Sequence, residues 1–194
     1  MGILDIFRTN GLRSPAGVRH NGKHLSEILA QHAKFVRGDE SGARAELSGA
    51  DLSRVNLSKA NLTYVNFHGA NLEGASLRES KLASADLSKA KLRRADLRKA
   101  DLTEANLSGA DLTEAQVGGA ELFRADLRSS ILRGADFGAA NFRQAEVAGA
   151  DFHGAGMRTT ILRETNLEGV DLSGVDLSTT LLPRGYKKAG TASS

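Results

Sequence analysis

Residues 85–104 read ADLSK AKLRR ADLRK ADLTE, which is one five-residue unit written four times. The same register runs without a slip from Ala45 to Leu182 and contains 28 units. At the large apolar position of the unit, which we name the centre, 21 residues are Leu, four are Phe, two are Val and one is Met. Two positions earlier, 19 of the 28 residues are Ala and the others are Val, Ser or Thr. A quarter of the chain is charged, so the absence of charge from both columns predicts that both face a core.

A strict period of five excludes the ordinary elements of secondary structure. On an α-helix, five residues turn the chain through about 500°, so successive centres move about 140° around the axis and form no apolar face. On a flat strand, an odd period sends alternate centres to opposite faces. All centres can point inward only if the chain turns a corner every five residues. Such a chain coils around its own core, and each coil stacks on the last, so the sequence predicts a solenoid.

The units ADLSR at residues 50–54 and ANLTY at residues 60–64 resemble the signature of pentapeptide-repeat proteins. That signature is a small residue, then Asp or Asn, then Leu and two variable residues. The resemblance covers residues 45–182 and implies an all-β solenoid, a right-handed quadrilateral β-helix with four units in each coil. On that basis the repeat makes about seven coils, and at ~4.8 Å per coil the rod is ~34 Å long. The centres expected to fill its core include Leu52, Leu57, Leu62, Leu87, Leu92, Leu97, Phe137, Phe142 and Phe152.

The chain divides into four regions. Residues 1–22 are weakly patterned, and we expect a flexible N-terminal arm; an apolar turn near its start that binds a membrane surface or a partner is the alternative. Residues 23–44 carry a helical pattern that ends at a glycine, and we expect this helix and its loop to cap the open first coil. Within it, His32 is expected to be a hydrogen-bonded packing residue rather than a ligand. Residues 45–182 form the repeat, and residues 183–194 form a C-terminal tail.

Composition narrows the functional classes. The chain has no Cys, which excludes disulfides, a thiol nucleophile and Cys-ligated metal. No apolar run approaches the ~18 residues of a membrane span, and the first residues do not resemble a signal peptide, so we expect a cytoplasmic protein. The net charge is +3, but the repeat carries 16 Lys or Arg against 19 Asp or Glu. The basic character therefore belongs to the ends of the chain.

Four units per coil place residues twenty apart on top of one another, so one face of the rod collects an unusual set of side chains. It holds the outward aromatic residues of the repeat, three arginines, and two apolar residues where Asp or Asn is usual. These residues are Tyr64, Phe123, Arg124, Arg143, Ile161, Arg163 and Leu181. Exposed apolar groups rimmed by Arg are typical of protein interfaces, so we predict a partner-binding face. The alternative is that Ile161 and Leu181 tuck under a C-terminal cap.

Two other patterns favour structural interpretations. Residues 78–99 are rich in Lys and Arg, but one coil passes around all four faces, so these residues form a belt rather than a groove for a phosphate backbone.

The residue before the centre is Asp or Asn in 17 of 28 units, which suits turn chemistry. A metal-binding carboxylate ladder is disfavoured because Lys81 and Lys91 occupy the same column.

The predicted function is non-enzymatic. The histidines are scattered, and a rod with flat faces offers no concave site, so we expect no catalytic residue, cofactor, metal or small-molecule substrate. A protein-interaction or structural module is favoured, as a monomer or weak dimer, with a partner that the sequence does not name. The resemblance also implies a DNA mimic that binds a type II topoisomerase such as gyrase, as in quinolone-resistance members; the weak negative charge of the repeat argues against it. Nucleic-acid binding through the basic ends is a third, disfavoured possibility.

Overall fold

The computed structural model describes residues 11–186. The apolar turn predicted near the N-terminus, at residues 3–7, lies outside the described residues. The same is true of residues 187–194 of the predicted tail.

From Glu46 to Ile161, each unit of the repeat folds as one bridge residue, one buried centre, two turn residues and one small residue. Parallel bridges join residues twenty positions apart, as between Asp101 and Glu121, so four units complete one coil. The Leu102 amide donates to the Glu121 carbonyl at 2.7 Å, and the Ala105 amide donates to the Leu102 carbonyl at 3.0 Å. The first bond stacks the coils, and the second closes the turn within one unit. The centres point inward because each corner resets the direction of the chain.

From Gly49 to Gly174, the second turn residue of each unit adopts a positive φ whether or not it is glycine. Examples are Glu104 at 57°, Gly109 at 66° and Thr159 at 58°. This left-handed conformation costs little for glycine but is strained for a β-branched residue such as Thr159. The repeat therefore fixes the backbone at this column, while its side chains vary and lie on the surface.

The core is filled by the two inward columns. The nine centres expected in the core are fully buried: Leu52, Leu57, Leu62, Leu87, Leu92, Leu97, Phe137, Phe142 and Phe152. Three phenylalanine rings of one coil pack together, and Phe137 lies edge to face with Phe142, with ring centroids 5.0 Å apart, and with Phe152. Small residues such as Ala140, which is also buried, leave room for these rings.

The predicted N-terminal helix is confirmed as α1 (Leu25–Val36). Its Leu25 is fully buried, and Ile28 and Leu29 pack against the core of the rod. His32 is also fully buried, and its Nδ1 accepts a hydrogen bond from the amide of Ala45, the first residue of the repeat, at 3.2 Å. Burial lowers the pKa of His32, and the charge of Arg44 lowers it further, while an interaction of the ring with the Thr63 backbone acts in the opposite direction. The helix thus covers the end of the apolar core that the first coil would otherwise expose.

Residues 11–24 also contact the rod and the cap. Arg13 forms a parallel bridge with Val55, and its carbonyl accepts from the Asn56 amide at 3.0 Å, so this segment covers part of the first coil's open edge. A 3-10 helix (Pro15–Gly17) and a two-stranded antiparallel hairpin, β1 (Arg19–His20) and β2 (Lys23–His24), lead into α1. From Gly11 onward, the region expected as an arm therefore contributes backbone pairing to the first coil.

The last coil is attached more loosely than the others. Among the described residues, the ladder of bridges is continuous up to Asn141↔Ile161, and beyond it only Ile161↔Leu181 is present. Three faces of the last coil therefore lack the bridges found elsewhere in the rod. Its centres are slightly exposed, as at Leu177 with 8%, whereas Leu102 in the middle of the rod is at 0%. The face that keeps its bridge to the end is the one that carries the candidate site.

Candidate interaction face

The seven residues that the sequence groups together lie on one face of the rod, which we name the aromatic–arginine face: Tyr64, Phe123, Arg124, Arg143, Ile161, Arg163 and Leu181. The bridges Asp101↔Glu121, Glu121↔Asn141, Asn141↔Ile161 and Ile161↔Leu181 form its backbone. The backbone of this face is thus a continuous parallel ladder. It fixes where each side chain leaves the surface.

Side chains twenty residues apart form a hydrogen-bonded ladder along this face. Arg124 Nε donates to Gln144 Oε1 at 2.9 Å, and Gln144 Nε2 donates to Glu164 Oε2 at 2.8 Å. Arg143 Nη2 donates to the other oxygen of Glu164 at 2.9 Å, and Arg124 Nη1 lies 3.8 Å from Glu104. The hydrogen bonds from Gln144 and Arg143 hold the pKa of Glu164 below its usual value. Exposed pairs of this kind add little stability, so their main effect is to hold the guanidinium groups in place.

Phe123 is half-buried beneath a guanidinium group rather than fully presented to solvent. The Cζ atom of Arg124 lies 5.0 Å from the centroid of the Phe123 ring, a cation–π arrangement. The ring and the guanidinium plane therefore form one amphipathic surface element. Such an element suits a contact that covers both an apolar group and a charge.

Tyr64 does not join this element, although it lies in the same column as Arg124. The two residues are three coils apart, which is ~14 Å along the rod. The Tyr64 side chain is exposed at 52%, and its backbone carbonyl accepts from Arg44 Nε at 2.6 Å. Tyr64 therefore belongs to the cap end of the face, and the other six residues lie in its C-terminal half.

Ile161 and Leu181 are bridge partners and form an apolar pair at the C-terminal end of the face. Leu181 is exposed at 42%, and Ile161 is half-buried. Within residues 11–186 no C-terminal element covers Leu181, as the alternative of a covering cap would require. Beside the pair, Arg163 is exposed and forms no hydrogen bond or ion pair through its side chain with any other described residue.

A partly buried carboxylate lies in the same face below this pair. Glu121 accepts a hydrogen bond from Asn141 Nδ2 at 2.6 Å and bridges Asp101. Burial raises the pKa of Glu121, and the nearby charge of Asp101 raises it further, although the bond from Asn141 opposes this. Glu121 and Asn141 thus form a short polar strip between the apolar pair, Ile161 and Leu181, and the middle of the rod.

The sequence also contains an exposed apolar residue that column reasoning missed. Ile131 occupies the position of Asp or Asn on a neighbouring face and is exposed at 40%. Its bridge partners are Asp111 and Asp151, and Asp151 is paired with Arg133. The signal was available, because Ile131 departs from its column in the same way as Ile161. Ile131 therefore lies among paired charges, whereas Ile161 lies beside the unpaired side chain of Arg163.

In the basic belt at residues 78–99 the arginines are paired with carboxylates and the lysines are spread over different faces. Arg94 pairs with Glu114 at 2.7 Å, and Arg98 pairs with Asp96 at 2.6 Å. The lysines of the belt form no ion pair within the described part of the chain, and they lie on different faces: Lys81, Lys89, Lys91 and Lys99. The belt therefore presents no concentrated cationic surface.

One serine, one histidine and one aspartate do meet, on a different face. His68 Nδ1 lies 2.8 Å from Ser88 Oγ, and Ser88 Oγ donates to Asp86. In a nucleophilic triad the carboxylate orients the histidine, and the histidine takes the serine proton. Here the carboxylate bonds the serine itself, so the arrangement is turn chemistry rather than an activated nucleophile. Among residues 11–186 no group of three or more potential metal ligands is present.

A cleft of about 710 Å³ separates α1 and the hairpin from the first coil. Its lining includes Ile28 and charged side chains of both signs, among them Glu27, Arg44 and Glu46. Glu46 accepts a hydrogen bond from Asn66 and lies 3.6 Å from Arg44, so both charged groups are already engaged. We interpret this cleft as the seam between the cap and the rod.

No helix in the described part of the chain is long and apolar enough to span a bilayer.

Comparison with known proteins supports the repeat assignment. The family model for pentapeptide repeats matches residues 43–78, 80–116, 120–158 and 149–178. The full-length structure of QnrB1, a plasmid-mediated fluoroquinolone resistance protein, is 21% identical, with 67% of this chain and 78% of that chain covered and a TM-score of 0.51. This likeness shows a shared fold.

Two cyanobacterial structures are also similar. The pentapeptide repeat protein Rfr23 from Cyanothece 51142 is 28% identical over 58% of this chain and 87% of its own, with a TM-score of 0.48. HetL from Nostoc sp. strain PCC 7120, a pentapeptide repeat protein involved in heterocyst differentiation regulation, is 24% identical over 59% of this chain and 75% of its own, with a TM-score of 0.28. Comparison with curated proteins finds no match.

Proposed function

Because the chain belongs to the pentapeptide-repeat family, whose fold is a right-handed quadrilateral β-helix, we propose that it is a non-enzymatic binding rod. In this proposal a rod of about seven coils presents the aromatic–arginine face to a protein partner in the cytoplasm, as a monomer or weak dimer. A rigid ladder suits this role because little conformational entropy is lost when an ordered surface binds.

One observation carries the proposal. Leu181, at 42% exposure, and the Phe123–Arg124 pair lie on one face whose arginines are held by ladder contacts or left unpaired. Aromatic residues and Arg are enriched in the cores of protein interfaces, and Lys, Glu and Asp are depleted there. On the other faces several arginines are paired with carboxylates, as at Arg94, Arg128 and Arg133.

The charge distribution gives no support to a DNA mimic. Residues 45–182 carry only three more acidic than basic residues, whereas mimicry of DNA needs a strongly acidic surface. Arginine side chains also neutralise carboxylates on several faces, as at Asp126, whose pKa is lowered by hydrogen bonds from Arg128. The likeness to QnrB1 is a likeness of fold and does not extend to this chemistry.

The proposal can be tested with a double variant that respects the repeat. Thr occurs at the first turn position of this face, at Thr63 and Thr103, so Phe123→Thr and Arg143→Thr together should leave the fold intact. Tagged wild type and this variant would be used to capture proteins from a lysate of the source organism. We expect a partner that wild type retains and the variant loses.

The matched control is Arg133→Thr, because Arg133 occupies the same turn position on a neighbouring face, where Thr113 shows that Thr is accepted. The control should retain the partner. A partner that is retained equally by wild type, the double variant and the control would contradict the proposed use of this face. Circular dichroism of all three proteins would verify that the fold is unchanged.

A further inference from the structure

We propose that the C-terminal end of the aromatic–arginine face binds an extended acidic segment of a partner protein that also carries an apolar side chain. This inference rests on the proposed function and specifies the chemistry of the partner. The site is a set that we name the C-terminal patch: Ile161, Arg163 and Leu181 on this face, with Arg158 in the turn of the neighbouring face that precedes Ile161.

The patch combines an apolar pair, exposed Leu181 and half-buried Ile161, with two free cations. Arg158 and Arg163 are turn residues that precede and follow Ile161 in the sequence, and both are exposed. Within residues 11–186 neither guanidinium group forms a hydrogen bond or an ion pair. The bridge partners of Ile161 are Asn141 and Leu181, so no carboxylate lies next to it in its column. An unpaired guanidinium presents a planar set of donors that matches a carboxylate.

Ile131 shows what distinguishes the patch from an ordinary exposed isoleucine. It has the same repeat position and an exposure of 40%, but its column neighbours are the carboxylates of Asp111 and Asp151. Arg133 beside it is already paired with Asp151. An acidic segment would meet carboxylates in the column of Ile131, whereas at Ile161 the one carboxylate of its unit, Glu164, is engaged by Arg143 and Gln144 and two guanidinium groups are free. The two sites therefore form a matched pair for experiment.

The charge of the chain itself indicates that the occupant comes from another protein. From Pro183 to the end, the sequence contains three basic residues and no acidic one, so its own tail does not complement the arginines. An acidic segment could place a carboxylate on each guanidinium and an apolar side chain over Ile161 and Leu181. Such a contact would combine a buried apolar anchor with charged groups around it.

The direct test uses a fluorescein-labelled peptide in which two leucines are flanked by glutamates, with fluorescence anisotropy as the readout. We expect binding to the full chain that weakens with added salt, because two ion pairs are exposed at the rim. Two double variants should each weaken binding about tenfold or more: Arg158→Gln with Arg163→Gln, and Ile161→Asn with Leu181→Asn. Asp or Asn is the usual residue at the repeat position of Ile161 and Leu181, so folding should be preserved.

Matched controls are Arg133→Gln and Ile131→Asn, which remove the same side chains at the other site and should leave binding within about twofold of wild type. A peptide with lysines in place of the glutamates should not bind, and one with serines in place of the leucines should bind about tenfold more weakly. No binding to wild type, equal losses in the controls, or equal binding of the lysine peptide would each overturn the proposal.

Failure of this proposal is distinguishable from failure of the binding-rod function. If the acidic peptide does not bind but the Phe123 and Arg143 variant still loses a partner from lysate, the face is an interface and the acidic chemistry is wrong. If the peptide binds as expected while that variant retains every captured protein, the C-terminal patch stands. The proposal that Phe123 and Arg143 bind a partner would then be wrong.

Discussion

Replacing Leu102 with Ala in a central coil should destabilise the rod strongly. Leu102 is fully buried, and its amide is fixed by a 2.7 Å hydrogen bond to the next coil. Removing three carbon groups costs about 2.4 kcal/mol in transfer free energy. The hydrogen-bonded coils on both sides cannot collapse into the space, so a cavity term adds to this. We expect a loss of about 4 kcal/mol in the free energy of unfolding.

The same substitution in the last coil should cost much less. Leu177 is already exposed at 8%, and among the described residues its coil lacks bridges on three faces. The last coil can therefore relax around the smaller side chain, and we expect Leu177→Ala to cost about 2 kcal/mol or less. The contrast between Leu102 and Leu177 tests whether the stacking of the coils, rather than leucine burial alone, sets the loss in the free energy of unfolding.

Urea denaturation followed by far-ultraviolet circular dichroism would measure both losses. Lys99→Ala is the control, because Lys99 is exposed and forms no ion pair in the described part of the chain. Lys99→Ala should leave the urea concentration at the midpoint of unfolding unchanged. Equal costs at Leu102 and Leu177, or a cost below about 1 kcal/mol at Leu102, would refute the reasoning.

Three further predictions concern the cap and the surface. Burial lowers the pKa of His32, so the folded state resists its protonation; stability should fall as the pH drops below about 6.5, and His32→Gln should flatten this dependence in thermal denaturation. A Cβ on Gly42 would lie 2.1 Å from a backbone nitrogen of α1, so Gly42→Ala should cost about 1–3 kcal/mol in urea denaturation, whereas Gly17→Ala, which meets nothing within 4 Å, should be neutral. Arg94→Ala breaks only an exposed pair with Glu114 and should leave the melting temperature unchanged; a clear loss would contradict this.

Much of the fold follows from the sequence because one constraint is repeated 28 times. No charged residue can enter the inward columns, so the period determines the direction of every centre, and the resemblance to pentapeptide repeats implies the twenty-residue stacking. The same logic places Phe123, Arg143 and Ile161 on one face. The helical pattern before the repeat predicts α1 because its apolar residues recur at three- and four-residue steps.

Other features depend on information that the period does not contain. The pairing of Arg13 with Val55 is a backbone contact between distant segments, and no side-chain pattern announces it. The loss of bridges in the last coil depends on the distance between the last two coils. The five-residue register does not determine that distance. Whether an arginine is free or paired depends on its rotamer and its neighbours, which is why Arg163 and Arg133 look alike in the sequence and differ in the structure.

The most direct test of the coil is a set of engineered cysteine pairs, since the chain has no cysteine of its own. Thr63 and Ala83 lie twenty residues apart on neighbouring rungs, where the Tyr64 amide donates to the Ala83 carbonyl at 3.0 Å. The ~4.8 Å between rungs fits the Cα separation that a disulfide needs. Under mild oxidation, with intact-mass measurement, Thr63→Cys with Ala83→Cys should cross-link. The pairs of Thr63→Cys with Arg78→Cys or Ser88→Cys, at spacings of fifteen and twenty-five, should not. Cross-linking at either of those spacings, or its absence at twenty, would contradict a coil of four units.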